Sequence, residues 1–172
     1  MSLRLFFALW PAPPVREALA AAAAPLLESC AGRPVPAQNY HLTLAFLGNV
    51  ETSRLDSLRA AAGTVHAAAF ELVLDTFGHW SRAGSAWLGS SRPTPAAAAL
   101  AATLWAALEP LGFTPETRPF VPHLTLLRRC RRCELPAMPQ PVRWPVREFV
   151  LVRSETRPEG AEYEILDRWK LA

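Results

Sequence analysis

Histidine is scarce in this chain, four residues among 172, and two of the four open identical tetrapeptides: His41-Leu42-Thr43-Leu44 and His123-Leu124-Thr125-Leu126, 82 positions apart. On a strand, alternate side chains share a face, so each histidine lies about 7 Å from its own threonine while the leucines turn to the core. An unperturbed imidazole titrates near ~6.5, which lets one copy accept a proton while the other donates one. A threonine hydroxyl can donate to the non-bridging oxygens of a phosphate, where charge must be stabilised in the transition state. If two such strands oppose their faces, a single phosphate fits between two imidazoles, and no metal is required. One His-x-Thr alone is an ordinary strand start; its duplication is the signal. Neither copy has the helical spacing or the accompanying carboxylates of a zinc hydrolase.

The elements that must position these residues also recur. Leu3–Leu9 reads as a buried strand, and the prolines after it open a helix over Pro14–Ser29 that Gly32 and Pro34 stop. A loop over Arg33–Asn39 leads to a strand over Tyr40–Leu47, closed by Gly48 and Asn49. Thr52 or Ser53 caps a helix reaching Ala69, and Phe70–Phe77 reads as a strand. The order then begins again: strand Ser85–Gly89, helix Pro95–Leu111, strand His123–Leu127. Leu5 to His41 spans 36 positions and Ala86 to His123 spans 37, nearly one period. Arg129–Pro145 reads as a basic, proline-rich loop, and Val146–Ser154 and Tyr163–Trp169 as closing strands.

Apolar residues make up 51% of the chain and charged ones 19%, which excludes intrinsic disorder as the main reading. At 172 residues, one ordinary domain or two small lobes sharing a core can form, but not two large independent domains. Seventeen of the 18 basic residues are arginine, the side chain suited to forked recognition of phosphate. A net charge of only +3 fits an anion held at one site better than a protein that coats nucleic acid along its length. Three cysteines are too few for a disulfide framework, so a reducing compartment, the cytoplasm, is expected. The apolar stretch Leu5–Trp10 is too short for a signal peptide core, and nothing approaches the ~20 apolar residues that span a bilayer.

At this point the sequence resembles the two-histidine phosphoesterases, and within them the bacterial and archaeal RNA 2′,3′-cyclic phosphodiesterases, also called 2′-5′ RNA ligases. The similarity runs over nearly the whole chain. It is carried by Arg4-Leu5-Phe6-Phe7-Ala8-Leu9, by the run Asn39–Gly48 around the first motif, by Arg118–Arg128 around the second, and by Phe149–Glu155. The resemblance implies an α+β, two-lobed fold with pseudo-two-fold symmetry, built of duplicated strand-helix-strand units, with antiparallel sheets facing a central groove. A single bilobal domain over residues 1–172 is expected. The resemblance further implies His41 as proton donor, His123 as proton acceptor, and Thr43, Thr125 and Arg128 as phosphate-binding residues. Ala45 departs from it, since many relatives carry a basic residue there.

The implied reaction is metal-independent and cofactor-free: a terminal 2′,3′-cyclic phosphate of RNA is hydrolysed to a 2′-phosphomonoester. Its reversal would join such an end to a 5′-hydroxyl through a 2′-5′ linkage. Two alternatives stand beside it. The same machinery could act on a small cyclic nucleotide or an ADP-ribose cyclic phosphate, because motifs around a phosphate do not identify what lies beyond it. A non-catalytic RNA-binding module is the third reading, against which the doubled motif speaks. The expected partner is RNA with a cyclic phosphate end; no membrane is involved, and a monomer is expected.

The remaining features are read more plainly. Cys130-Arg131-Arg132-Cys133 lacks a second pair for a zinc site and reads as incidental loop cysteines, able to pair with each other on oxidation. Arg128, Arg129, Arg131 and Arg132 form the densest positive run, a solvated face that beside a phosphate site could hold an RNA backbone. His66 and His79 repeat no motif and receive no role. The tryptophans, including Trp10, Trp80, Trp87 and Trp144, read as packing residues rather than base-stacking platforms, with one or two near the groove available to stack a base.

Overall fold

The central strand of the first half is β1 (Ser2–Leu9), whose residues Leu5 to Leu9 are all buried because both faces of the strand are covered. In the computed structural model, which describes residues 1–138 and 140–172, β1 lies between two antiparallel partners. Helix α1 (Pro13–Ser29) follows, with proline in its first turn, where the missing N–H costs no hydrogen bond. Next come the two-residue strand β2 (Arg33–Pro34), strand β3 (Leu42–Glu51) and helix α2 (Leu55–Gly63). Strands β4 (Phe70–Leu74), β5 (Thr76–Trp80) and β6 (Ser85–Gly89) precede helix α3 (Pro95–Leu108) and strand β7 (His123–Arg128). The chain closes with β8 (Val142–Val146), β9 (Glu148–Arg157) and β10 (Gly160–Lys170).

Three antiparallel sheets result, ordered β10-β9-β1-β3, β2-β7-β6-β5 and β4-β8. The expected duplication is plain in the topology: β1-α1-β3 and β6-α3-β7 each place a strand, a returning helix and an antiparallel neighbour. The halves are nevertheless interlocked. Helix α1 packs on β7 and β8, α3 packs on β3, and β2 leaves the first half to extend the second sheet through its pairing with β7. One continuous core therefore serves both halves, with Leu5, Phe7 and Leu9 on one side of β1 and Leu124 and Leu126 of β7 within it. A small second cluster, Phe6, Ala8, Val150 and Val152, covers the opposite face of the first sheet.

Several element boundaries differ from expectation, each for a local reason. The strand expected over Phe70–Phe77 is two strands in different sheets, broken at Asp75. The Asp75 carboxylate accepts hydrogen bonds from the hydroxyl and backbone N–H of Ser91, both at 2.7 Å, and those bonds hold its pKa below the usual value. The helix expected to reach Ala69 ends at Gly63, ahead of the β-branched Thr64 and Val65. Strand β3 runs on through Gly48, which takes φ 72° beside a register shift against β1. The loop read over Arg129–Pro145 contains β8, where Pro145 is tolerated because β8 has β4 as its one partner; Pro139, inside that loop, lies outside the described residues. No helix among the described residues is long and apolar enough to cross a membrane.

The cysteines also correct the sequence reading. Cys133 is bonded not to Cys130 but to Cys30, at the end of α1, with Cα atoms 4.8 Å apart, well within disulfide range. Cys130 instead points into the core as a fully buried free thiol, whose pKa burial pushes up. The bond joins residues 103 positions apart, and the chain-entropy account of such a closure gives roughly 4 to 5 kcal/mol, against about 2 to 4 commonly measured. Reduction is therefore expected to lower Tm by about 10 °C. A Cys133→Ser variant should melt at the lower temperature with or without dithiothreitol; equal Tm values for oxidised and reduced wild type would contradict the bond.

Candidate active site

The first motif follows a 3₁₀ turn over Ala37–Asn39. Asn39 is pinned there by its side-chain amide, which donates to the Ala161 carbonyl on β10 at 2.9 Å. In turn, His41 Nδ1 lies 2.7 Å from the Asn39 carbonyl oxygen. The second motif repeats the device, with His123 Nδ1 2.8 Å from the carbonyl of Val121. A carbonyl can only accept, so in both copies Nδ1 carries the hydrogen and Nε2 holds the free lone pair. The duplication thus reaches beyond residue type to the tautomer.

Alternation works as expected. Leu42, Leu44, Leu124 and Leu126 are buried, whereas His41, Thr43, His123 and Thr125 are half-buried on the opposite face. Strands β3 and β7 lie against each other, and the charge of His123 is felt at His41. The charge of Arg128, at the end of β7, is felt at both rings. His41, His123 and Arg128 therefore share one electrostatic neighbourhood, and Thr43 and Thr125 lie on the same strand faces as the histidines.

That neighbourhood disfavours imidazolium. Burial is the largest cause, and with the positive charges of Arg128 and His123 it pushes His41 down to about 4 despite the Asn39 hydrogen bond. His123 is lowered too, by burial and then by Arg128, against the opposing influences of the Val121 carbonyl and the Glu116 carboxylate. A bound phosphodiester anion acts in the opposite direction, because negative charge beside an imidazole favours its protonated form. The pH profile of kcat/KM, which reports the free site, is expected to peak below the ordinary imidazole value of ~6.5. The profile of kcat should lie at higher pH. Coincident profiles peaking above pH 7 would contradict this electrostatic picture.

Aromatic rings wall both histidines. Trp10 stacks on His41, with centroids 5.3 Å apart and planes within 7°, while Phe6 and Tyr163 close its other sides at 4.9 and 5.1 Å. Trp80 stands edge-on to His123 at 4.6 Å, with Trp87 at 6.1 Å. Trp87 lies flat over its sheet because glycines make room: a Cβ at Gly78 would sit 2.1 Å from the indole, and one at Gly89 2.6 Å. Its Nε1 is buried with no hydrogen-bond partner among the described residues.

Trp144 fits the packing reading, being 2% exposed in the core, but Trp10, Trp80 and Trp87 shape the site. Trp10 was signalled by its parity with Phe6 and Ala8, one strand face continued; Tyr163 arrives from the distant β10 and carried no local signal. His79, given no role from sequence, hydrogen-bonds through Nε2 to the Cys130 carbonyl at 2.7 Å and so anchors the segment after the second motif. His66 is exposed and apart from the site. A concavity of about 550 Å³ lies elsewhere, between β4, β8 and the start of α3, and contains neither histidine; the chemistry, not cavity size, locates the site.

Comparison with known proteins gives the same answer. The chain is 38% identical over 171 residues to the RNA 2′,3′-cyclic phosphodiesterase of Escherichia coli (strain K12), covering 98% of this chain and 96% of that protein. It is 32% identical to the RNA 2′,3′-cyclic phosphodiesterase of Thermus thermophilus, over 98% of this chain and 90% of the relative. Its structure matches that of E. coli LigT complexed with 3′-AMP at a TM-score of 0.91 and 36% identity, with 99% of each chain covered. The LigT-like phosphoesterase family matches twice in succession, over residues 9–87 and 88–163, one match for each motif-bearing half. A duplicated fold whose halves each carry one tautomer-fixed histidine is thus accounted for: the chain belongs to the LigT-like phosphoesterase family.

Proposed function

We propose that the protein hydrolyses the 2′,3′-cyclic phosphate at the end of RNA to a 2′-phosphomonoester, using His41 and His123 as its proton donor and acceptor. The observation that carries this reading is the matched pair of imidazoles, each presenting a free Nε2 fixed by an Nδ1–H bond to the carbonyl two residues upstream. Water attacks phosphorus opposite the departing 3′-oxygen; His123 Nε2 takes its proton, and His41 delivers one to the leaving oxygen. Burial and the neighbouring positive charges hold His41 neutral at pH 7, so its donation depends on the substrate anion raising its pKa. Thr43 and Thr125 donate to the non-bridging oxygens, and Arg128 balances their charge from the end of β7. The whole chain acts as one bilobal domain, since the interlocked helices leave no core to either half alone.

The test is incubation of RNAs with defined 3′ ends, in the presence of a chelator, followed by product identification. A 2′-monophosphate formed from the cyclic end, undiminished by chelation, is the expected result. A 3′-monophosphate, or loss of activity on chelation, would overturn the mechanism. A monomeric protein in the cytoplasm remains the reading the substrate favours; there the Cys30–Cys133 bond would be open to reduction, and thiol labelling in cells measures its state.

A further inference from the structure

The segment following the second motif is built to hold its arginines in place. Arg129 adopts φ 54°, a left-handed conformation that residues other than glycine seldom take. It is kept there by its buried neighbour Cys130, whose N–H donates to the Gly84 carbonyl at 2.9 Å and whose own carbonyl accepts from His79. Three residues on, Cys133 is bonded to Cys30. Between these anchors, Arg131 folds back on the β5–β6 turn and donates to the Arg82 carbonyl at 3.3 Å, so the positive loop and Arg82 share one end of the second sheet.

Among the described residues, ion pairing divides the arginines, and these fall with the unpaired ones. Arg59, Arg118, Arg143, Arg153, Arg157 and Arg168 each have a carboxylate within ion-pair distance. Among the described residues, Arg82, Arg128, Arg129, Arg131 and Arg132 have none, and all are exposed. The segment Arg129–Met138 contains a single acid, Glu134. The row also begins at the chemistry, since Arg128 exerts its charge on both histidines. Unneutralised guanidinium groups on an anchored backbone, continuous with a phosphate site, suit further phosphates of the same ligand.

We propose that Arg82, Arg129, Arg131 and Arg132 form a backbone subsite for the phosphates that precede the cyclic terminus, giving the protein a preference for oligonucleotide ends over cyclic mononucleotides. The inference rests on the function proposed above and assigns its substrate class. The test compares a short single-stranded RNA ending in a 2′,3′-cyclic phosphate with 2′,3′-cyclic AMP, for wild type and the Arg129→Ser/Arg131→Ser/Arg132→Ser variant. At low salt, the ratio of kcat/KM for the oligonucleotide to that for the mononucleotide should fall about tenfold or more. The logarithmic salt slope for the oligonucleotide should shallow by about 2, given ~0.7 per phosphate contact on a single strand. The corresponding triple lysine variant, which keeps the charge, should restore the slope. An unchanged ratio and slope in the serine variant would overturn the subsite while leaving the cyclic phosphodiesterase reading intact. Wild type inactive on both substrates would instead overturn that reading itself.

Discussion

Replacement of either His41 or His123 by alanine is expected to lower turnover of a cyclic phosphate end by about 10²- to 10⁴-fold, the range a positioned general acid or base contributes. The two losses should not add in the double variant, because each half-reaction of proton transfer is productive only when the other is in place. The roles can be separated with an aryl phosphodiester, whose aryloxide departs without needing a proton. On that substrate His41→Ala should recover most of the lost rate, and His123→Ala should not, since activation of water is still required. Recovery in the His123 variant instead would exchange the roles, and full activity of both variants would remove the pair from the mechanism. Folding is not expected to suffer in either case. Both rings are half-buried against aromatic walls, outside the continuous core, and each gives up one hydrogen bond to a backbone carbonyl.

The histidines and threonines were legible in the sequence because the information that places them is local. A period-two alternation with leucines at the alternate positions specifies which face each side chain takes, and repetition specifies that the faces correspond. The double strand-helix-strand order was legible for the same reason. What was not legible depended on contacts across long separations. The 103-residue reach from Cys30 to Cys133 is decided by how α1 and the segment after β7 pack, whereas the short spacing from Cys130 to Cys133 drew attention to the wrong partner. The interlocking of the halves, α1 on β7 and α3 on β3, leaves no trace in periodicity, since an amphipathic face does not record which sheet it meets. The break at Asp75 was similarly hidden: its partner, Ser91, lies just beyond the neighbouring strand β6, and strand-forming residues stand on both sides of the break.

Gly78→Ala is expected to be the most damaging substitution of a residue that carries no functional group. Gly78 pairs across the sheet with Trp87, and an added Cβ would lie 2.1 Å from one indole carbon and 2.4 Å from two others. A rigid bicyclic ring cannot yield by a rotamer adjustment of a few tenths of an ångström, so it must leave the sheet surface. Overpacking of this kind costs about 1 to 3 kcal/mol, which corresponds to a fall in Tm of roughly 2 to 12 °C for a chain of this length. The larger effect falls on turnover. Trp87 pairs on its other side with Thr125 and stands 6.1 Å from His123, so its displacement disturbs a hydroxyl and an imidazole together. A misplacement near 1 Å at reacting groups can cost about 10²-fold in rate. The cause is separable from a general loss of fold by repeating the substitution where the ring is absent. In a Trp87→Leu background, Gly78→Ala should add little further loss of either Tm or kcat, because the smaller side chain leaves space for the methyl group. Equal penalties in the two backgrounds would show that Gly78 acts through its own backbone, and that the indole is not what the glycine accommodates.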